Sequence, residues 1–457
     1  MTLIIVTLLL TAYLLIATGH LTGVNKAAIS MFLGTAGWVV YVGWGFDFVS
    51  AFHAADYREF LGGAASTSNS VKHFIYSNIF LLYVGKAAAI VLFLLATMST
   101  VELLQNNGCF DFITEWIRTR NSKRLLWTLS AATFVLSANL DNLTTLSTML
   151  VIMHGILQNS RQRMLVGSAM ALAACCGGCF TVIGDATGLV LWEGGAVSAS
   201  RFSAYLLLPA VLAWVVPTML INRELPDRLD TAWSALPYRG DDTRLSRLQR
   251  MVMLFVGIGG LWFIPSFHNI TKLAPFLGAL CVLSVLWVVN EVFNRKFIGS
   301  GQSVQRRIPM SLEYGALQQI LFVMGIMLGM GVVTETGVWH DVGSWFDTYV
   351  HDIWMMGIGA GLLSAIVDSF TIAMSNISLY PVSAGDFACN GTYWSIMAYN
   401  TAIGGCLLSV GNVCGLALMR SERVTLGWYV KHLTPKVLLG WIVGYMALWV
   451  EINFISL

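Results

Sequence analysis

The hydrophobic pattern of this chain is a succession of long apolar runs parted by short polar or basic stretches. It shows neither the alternation of half-buried strands nor the single stripe of soluble helices. Runs at residues 3–17, 28–45, 74–104, 203–221, 251–265, 273–292, 313–333 and 437–455 predict membrane-spanning helices. Other runs are too short. Residues 125–137 and 145–157 each reach only about 20 Å at 1.5 Å per residue, against a hydrocarbon core of roughly 30 Å. Arg118, Arg120, Lys123 and Arg124 precede this pair, and Arg161 and Arg163 follow it. Both outer ends therefore belong on one side, and the segment 125–157 predicts a re-entrant hairpin with its tip at 139–144. Residues 164–192 read as one crossing helix broken at Gly177-Gly178 and Gly184-Asp185. An amphipathic stretch at 113–120 is expected to lie along the surface.

The pattern occurs twice. Ser137-Ala138-Asn139-Leu140-Asp141-Asn142-Leu143-Thr144 returns as Ser364-Ala365-Ile366-Val367-Asp368-Ser369-Phe370-Thr371, an offset of 227 residues. Gly177-Gly178-Cys179 returns at the same offset as Gly404-Gly405-Cys406, Gly184-Asp185 as Gly411-Asn412, and Gly188-Leu189 as Gly415-Leu416. A second hairpin is thus predicted at 353–380 and a second broken helix at 394–418.

The chain is 56% hydrophobic and 11% charged, with mean hydropathy +0.71, which excludes a water-soluble globule and defines an all-α polytopic membrane protein. The net charge of +2 gives no ground for a nucleic-acid partner. Charge placement says more. Most of the 26 Lys and Arg, among them Lys26, the 118–124 group, Arg161, Arg163 and those of 223–250, 295–307 and 420–436, fall on one side of a single topology. The positive-inside rule makes that side cytoplasmic and both termini external. The second hairpin then has external ends, so equal order meets opposite orientation: an inverted-topology repeat, as in secondary transporters. The expected divisions are N-terminal helices at 1–72, a first repeat at 73–222, a cytoplasmic linker at 223–250, connecting helices with a basic loop at 251–312, and a second repeat at 313–457.

Non-helical backbone at membrane depth must line a cavity or be buried in protein. Hairpin tips and half-helix ends present free carbonyls and hydroxyls, which suit a dehydrated alkali cation. The first tip supplies Asp141 with Asn139, Asn142, Thr144 and Thr145; the second supplies Asp368 with Ser369 and Thr371. The breaks add Asp185, Thr181 and Thr187, with Ser409 and Asn412 as counterparts. Asp141, Asn142, Asp368 and Asp185 are the expected cation ligands. An intramembrane carboxylate marks an ion or proton route, and one that holds either a proton or a cation meets the minimum requirement for exchange. The alternative role is structural, since Asp141, Asp368 and Asp185 could cap the helices that follow them. Lys86, inside an apolar run, is a candidate for an ion pair. Glu102 and Glu335 are expected at interfaces; His154, His340 and His351 are expected in packing or surface roles. Cys175, Cys176 and Cys179 read as small packing residues rather than a metal motif, and no cofactor is implied beyond transported ions.

The runs 136–145 and 177–187 resemble the NhaD-type sodium/proton antiporters of the ion transporter superfamily, over most of the chain. The resemblance implies exchange of Na+, and of Li+, for external protons, in a bacterial inner membrane, by an elevator-like motion and as a homodimer. At the second tip this chain departs from the family's Asp-Asn-x-Pro-like run with Asp368-Ser369-Phe370-Thr371, and Asn412 and Cys414 also differ from it. Two other readings use the same features. A sodium-coupled carboxylate symporter would share the hairpins, but Asp141 and Asp368 would repel its substrate. An intramembrane aspartyl protease would need Gly-x-Gly-Asp, and Val182-Ile183-Gly184-Asp185 lacks the first glycine. No enzymatic activity is therefore expected.

Overall fold

The computed structural model describes residues 2–117, 119–231, 245–298 and 310–454. The middle of the linker, 232–244, and the basic loop from 299 to 309 lie outside the described residues. Apart from two isolated β-bridges, the regular structure among them is helical. Eight of these helices are long and apolar enough to cross a membrane.

The N-terminal pair is α1 (Thr2–Thr22) and α2 (Lys26–Gly43), with Asn25 capping α2 through a bond from the Ala27 amide. Two short helices absent from the sequence reading follow, α3 (Gly45–Phe52) and α4 (Ala54–Leu61). Next, α5 (Ser68–Phe74) and α6 (Leu81–Asn106) join through a π-helical turn at Ile75–Phe80 into one continuous helix, Ser68–Asn106. The surface stretch expected at 113–120 is shorter: α7 spans Asp111–Trp116.

The first hairpin is α8 (Ser122–Ser137) and α9 (Asn142–Ile156). The broken helix is α10 (Ser160–Cys179) and α11 (Ala186–Glu193), followed by α12 (Ala199–Asn222). Gly177 and Gly178 do not break the helix as expected; the break is at residues 180–185. A Cβ at Gly177 would sit 2.2 Å from the Phe134 carbonyl, so this glycine serves close backbone approach by α8 instead.

The second half opens with α13 (Arg247–Leu254) and α14 (Gly260–Thr271), joined by a π-helical turn at Phe255–Gly259, then α15 (Pro275–Ile298) and α16 (Met310–Thr334). An unanticipated α17 (Val338–Tyr349) precedes the second hairpin, α18 (Ile353–Ile366) and α19 (Ser369–Leu379). The second broken helix is α20 (Thr392–Gly404), a 3-10 turn at Gly405–Leu407, and α21 (Val413–Glu422); α22 (Leu426–His432) and α23 (Thr434–Phe454) close the chain.

Two features position the site. First, α10 and α20 are buried all round, every residue from Leu165 to Cys179 and from Tyr393 to Gly404, which is why neither shows an amphipathic pattern. Second, α2 and α16 pack backbone to backbone through small residues. A Cβ at Gly325 would meet Met31 N at 2.5 Å, one at Gly34 would meet Leu328 Cβ at 3.0 Å, and one at Gly37 would meet Val332 Cγ1 at 2.7 Å. These contacts advance together along both chains, so α2 and α16 run parallel. Their N-terminal portions therefore face the hairpin tips from the same side.

Candidate functional site

At the first tip the chain leaves α8 after Ser137, and Asp141 opens α9. One Asp141 oxygen, Oδ2, accepts from the Thr144 amide at 3.1 Å and from the Thr144 hydroxyl at 3.1 Å. The other, Oδ1, accepts from Gln319 Nε2 of α16 at 3.3 Å. Asp141 thus caps its helix through one oxygen and turns the other toward α16, so capping does not engage the whole carboxylate. The tip is stitched to the break. Thr181 Oγ1 donates to the Ala138 carbonyl at 2.7 Å, and the Asn142 amide donates to the Gly184 carbonyl at 3.2 Å. Asp185 makes no capping bond with its side chain; its Oδ2 accepts from Thr187 Oγ1 at 2.9 Å. The bond from the Asn142 amide to the Gly184 carbonyl brings their chain neighbours Asp141 and Asp185 to one junction.

Around Asp141 are polar atoms with nothing to bond. Asn142 is fully buried and Thr145 is 1% exposed, yet both amide atoms of Asn142, Thr145 Oγ1 and Gln319 Oε1 have no hydrogen-bond partner. Buried polar atoms left unpaired cost about 1–3 kcal/mol each. Such a group of orphaned oxygens beside a buried carboxylate is the chemistry a cation would satisfy. Asn139, the other amide at this tip, donates its Nδ2 back to the Val135 carbonyl at 2.7 Å.

The second tip repeats the frame. Ser137 Oγ donates to the Ala174 carbonyl at 2.7 Å, and Ser364 Oγ donates to the Thr401 carbonyl at 2.6 Å. The Ser369 amide donates to the Gly411 carbonyl at 2.9 Å, as Asn142 does to Gly184. Asp185 and Asn412 share the same backbone angles, φ −141° and ψ 147°. Asp368 Oδ1 accepts from the Phe370 amide at 3.0 Å and the Thr371 amide at 3.4 Å. Here too Thr371 Oγ1, Ser409 Oγ and Asn412 Nδ2 are buried without partners. The chemistry differs, however. Asp368 Oδ2 lies 3.6 Å from Lys26 Nζ, which donates to the Val410 carbonyl at 2.7 Å.

Lys26 therefore corrects two sequence readings. Counted there only among the charges of the cytoplasmic side, it is turned inward as the first residue of α2, with its side chain 15% exposed. Lys86, the expected ion-pair partner, is exposed, and among the described residues it pairs with no acid; it lies 5.6 Å over the Tyr83 ring. Lys86→Ala is accordingly expected to leave transport within about twofold of wild type and to cost no more than about 1 kcal/mol of stability, checked by vesicle transport and thermal unfolding. Glu335 is also not an exposed interfacial acid: His53 Nε2 lies 2.6 Å from it and Tyr83 donates to it at 2.7 Å. His154 contacts Glu422, which Arg163 Nε bonds at 3.0 Å, tying the first hairpin to α21. Cys175, Cys176 and Cys179 are buried in α10, where it packs on α20 and α21. Gln319, missed in the sequence, is the second of two adjacent amides, Gln318-Gln319, near the start of an apolar run.

Crossing helices around two buried, helix-interrupting carboxylate tips define a polytopic membrane transporter. The chain belongs to the family described as CitMHS, citrate transporter, whose model matches residues 2–389. It is 29% identical over 370 residues to sodium/proton antiporter 1 of Arabidopsis thaliana, covering 79% of this chain but only 62% of that protein. It is 27% identical over 390 residues to the Na(+)/H(+) antiporter NhaD of Vibrio cholerae, covering 78% of this chain and 77% of the relative. These relatives agree with the NhaD-type resemblance of the two motif runs. Among solved structures, the Alcanivorax borkumensis YdaH transporter shares the fold with a TM-score of 0.55 at 12% identity, covering 84% of this chain and 89% of the other.

Proposed function

We propose that this protein is a secondary antiporter that exchanges cytoplasmic Na+, and Li+, for external H+. The observation that carries the reading is the first tip: a buried Asp141, joined to the Asp185 break by the Asn142–Gly184 backbone bond, with oxygens of Asn142, Thr145 and Gln319 buried and unpartnered. Asp141, Asp185, Asn142, Thr144, Thr145, Thr181 and Thr187 form the exchange site; Asp368, Ser369, Thr371 and Asn412 hold the geometrically equivalent positions at the second tip, without a part in the exchange itself. Relatives named as sodium/proton antiporters support it. The repeat of both motif blocks at one 227-residue offset supports it as well: α6 and α16 are counterparts in the two halves, and Tyr83 of α6 packs on Gly331 of α16. An elevator-like motion, a homodimer, and a bacterial inner-membrane placement with external termini complete the reading on the strength of the resemblance.

The description of the family as citrate transporters favours a second reading, sodium-coupled carboxylate uptake. Two acids at the first tip oppose it, because a tricarboxylate would meet like charge at low dielectric. Everted vesicles with an acid interior decide between them. Exchange predicts that added Na+ or Li+ collapses the pH gradient, with the apparent KM for Na+ rising as pH falls, by at most about tenfold per pH unit for one competing proton. A silent pH gradient together with Na+-dependent uptake of labelled citrate would establish the symporter instead.

A further inference from the structure

We propose that Lys26 is a tethered cation that permanently occupies the second tip, so that of two geometrically equivalent sites only the first binds a transported ion. This rests on the exchange reading and specifies which site serves it.

The two tips share a frame but not a charge. The first holds Asp141 and Asp185, and among the described residues no Lys or Arg pairs with either. The side chain reaching it from outside its own hairpin and broken helix is the neutral Gln319. The second holds one acid, because Asn412 stands where the first half has Asp185. The side chain reaching it from outside is cationic. Lys26 Nζ lies between the Asp368 carboxylate at 3.6 Å and the Val410 carbonyl at 2.7 Å. Val410 is in the break of the second broken helix, two residues before Asn412. A tip carboxylate and a freed carbonyl are the ligands that this architecture offers to an alkali ion, with Thr371 Oγ1 and Ser409 Oγ buried nearby and unpartnered. The ammonium sits where such an ion would sit.

A buried carboxylate needs a counter-charge or a proton. At the second tip the counter-charge comes on a covalent tether, held by Asn25 capping α2 and by the seam of α2 against α16. Its effective concentration is set by the fold and does not depend on the Na+ outside. Bulk Na+ competes at a large disadvantage there. At the first tip, among the described residues, no Lys or Arg competes in this way. The transported charge per cycle is therefore set by Asp141 and Asp185 alone, and Lys26 is a specificity-determining residue that suppresses a second ion.

The test is a count of bound 22Na+ per protomer on purified protein at alkaline pH, with thermal unfolding as a check on folding. Wild type is expected to bind one ion, lost in Asp141→Asn and retained in Asp368→Asn. Lys26→Ala is expected to raise the count to two, with the added ion lost in the Lys26→Ala/Asp368→Asn double variant; Lys26→Arg keeps one. Two ions in wild type, or loss of the single ion in Asp368→Asn, would overturn the proposal, and the latter measurement needs no change at Lys26. A folded Lys26→Ala protein that still binds one ion would overturn it too. Wild type that binds no Na+ at all would instead sink the exchange reading on which the proposal stands.

Discussion

Asp141→Asn is expected to abolish Na+-driven collapse of the pH gradient while leaving the protein folded. Asparagine caps a helix about as well as aspartate, so the bond from the Thr144 amide survives and stability changes by less than about 1 kcal/mol. What is lost is the charge. Leaving one partner of a buried ion pair without the other costs about 3–5 kcal/mol, which lowers cation affinity by roughly two to three and a half decades. The amide also cannot carry a proton, so both halves of the exchange fail together. Vesicle assays at saturating and subsaturating Na+ measure this directly. Exchange at a wild-type KM in a correctly folded Asp141→Asn protein would remove this residue from the mechanism.

Gly184→Ala is the second large effect, and it acts through geometry alone. A Cβ there would stand 2.5 Å from the Ser137 carbonyl, 2.6 Å from Thr181 Oγ1 and 2.8 Å from Gly178 Cα. Two of these three are backbone atoms, which cannot swing aside. Forcing a methyl into such a contact costs about 1–3 kcal/mol or more. Gly184 also carries the carbonyl that accepts from Asn142, so relief of the clash must pull the break away from the tip. The melting temperature should drop by several degrees and exchange should fall to background. Gly411→Ala, whose Cβ would meet the Ser364 and Ala365 carbonyls at 2.4 and 2.6 Å, should behave alike. Gly85→Ala, in open space within α6, should be neutral or slightly stabilising, since alanine is favoured in a helix by about 1 kcal/mol. Equal unfolding temperatures for Gly184→Ala and Gly85→Ala would contradict this account.

The parts of the fold that the sequence reveals are those written locally. The hairpins announce themselves because two short apolar runs flank a polar tip; the second tip falls within two residues of the pattern, while at the first the returning helix starts at Asn142, three residues before the expected 145. The breaks are visible as Gly184-Asp185 and Gly411-Asn412; of the preceding glycine pairs, Gly177-Gly178 stays inside α10 and serves packing, whereas Gly404-Gly405 marks the end of α20. Short helices such as α3, α4, α17 and α22 escape because none is apolar over a spanning length. Lys26 and Gln319 escape for a different reason. Each meets its aspartate through a contact between segments far apart in sequence, and nothing beside Lys26 distinguishes an ammonium buried against a tip from one in a loop. Lys86, by contrast, stands in an apolar run and attracts attention that its exposed position does not justify.

The segment after α12 has a consequence for the order in which the protein assembles. Its backbone clasps both feet of the first hairpin. Asn121 bridges Arg228 and Leu157 bridges Thr231, while the Ser122 and Gln158 amides donate to the Asp227 and Asp230 carbonyls. Asp230 in turn accepts from Asn159 and donates its amide to Gln162. In a chain made from its N-terminus, the hairpin, α10, α11 and α12 all emerge before that clasp exists. The base of the first hairpin is therefore closed only by a segment that arrives after α12, which makes completion of the first half a single late event rather than a helix-by-helix accumulation.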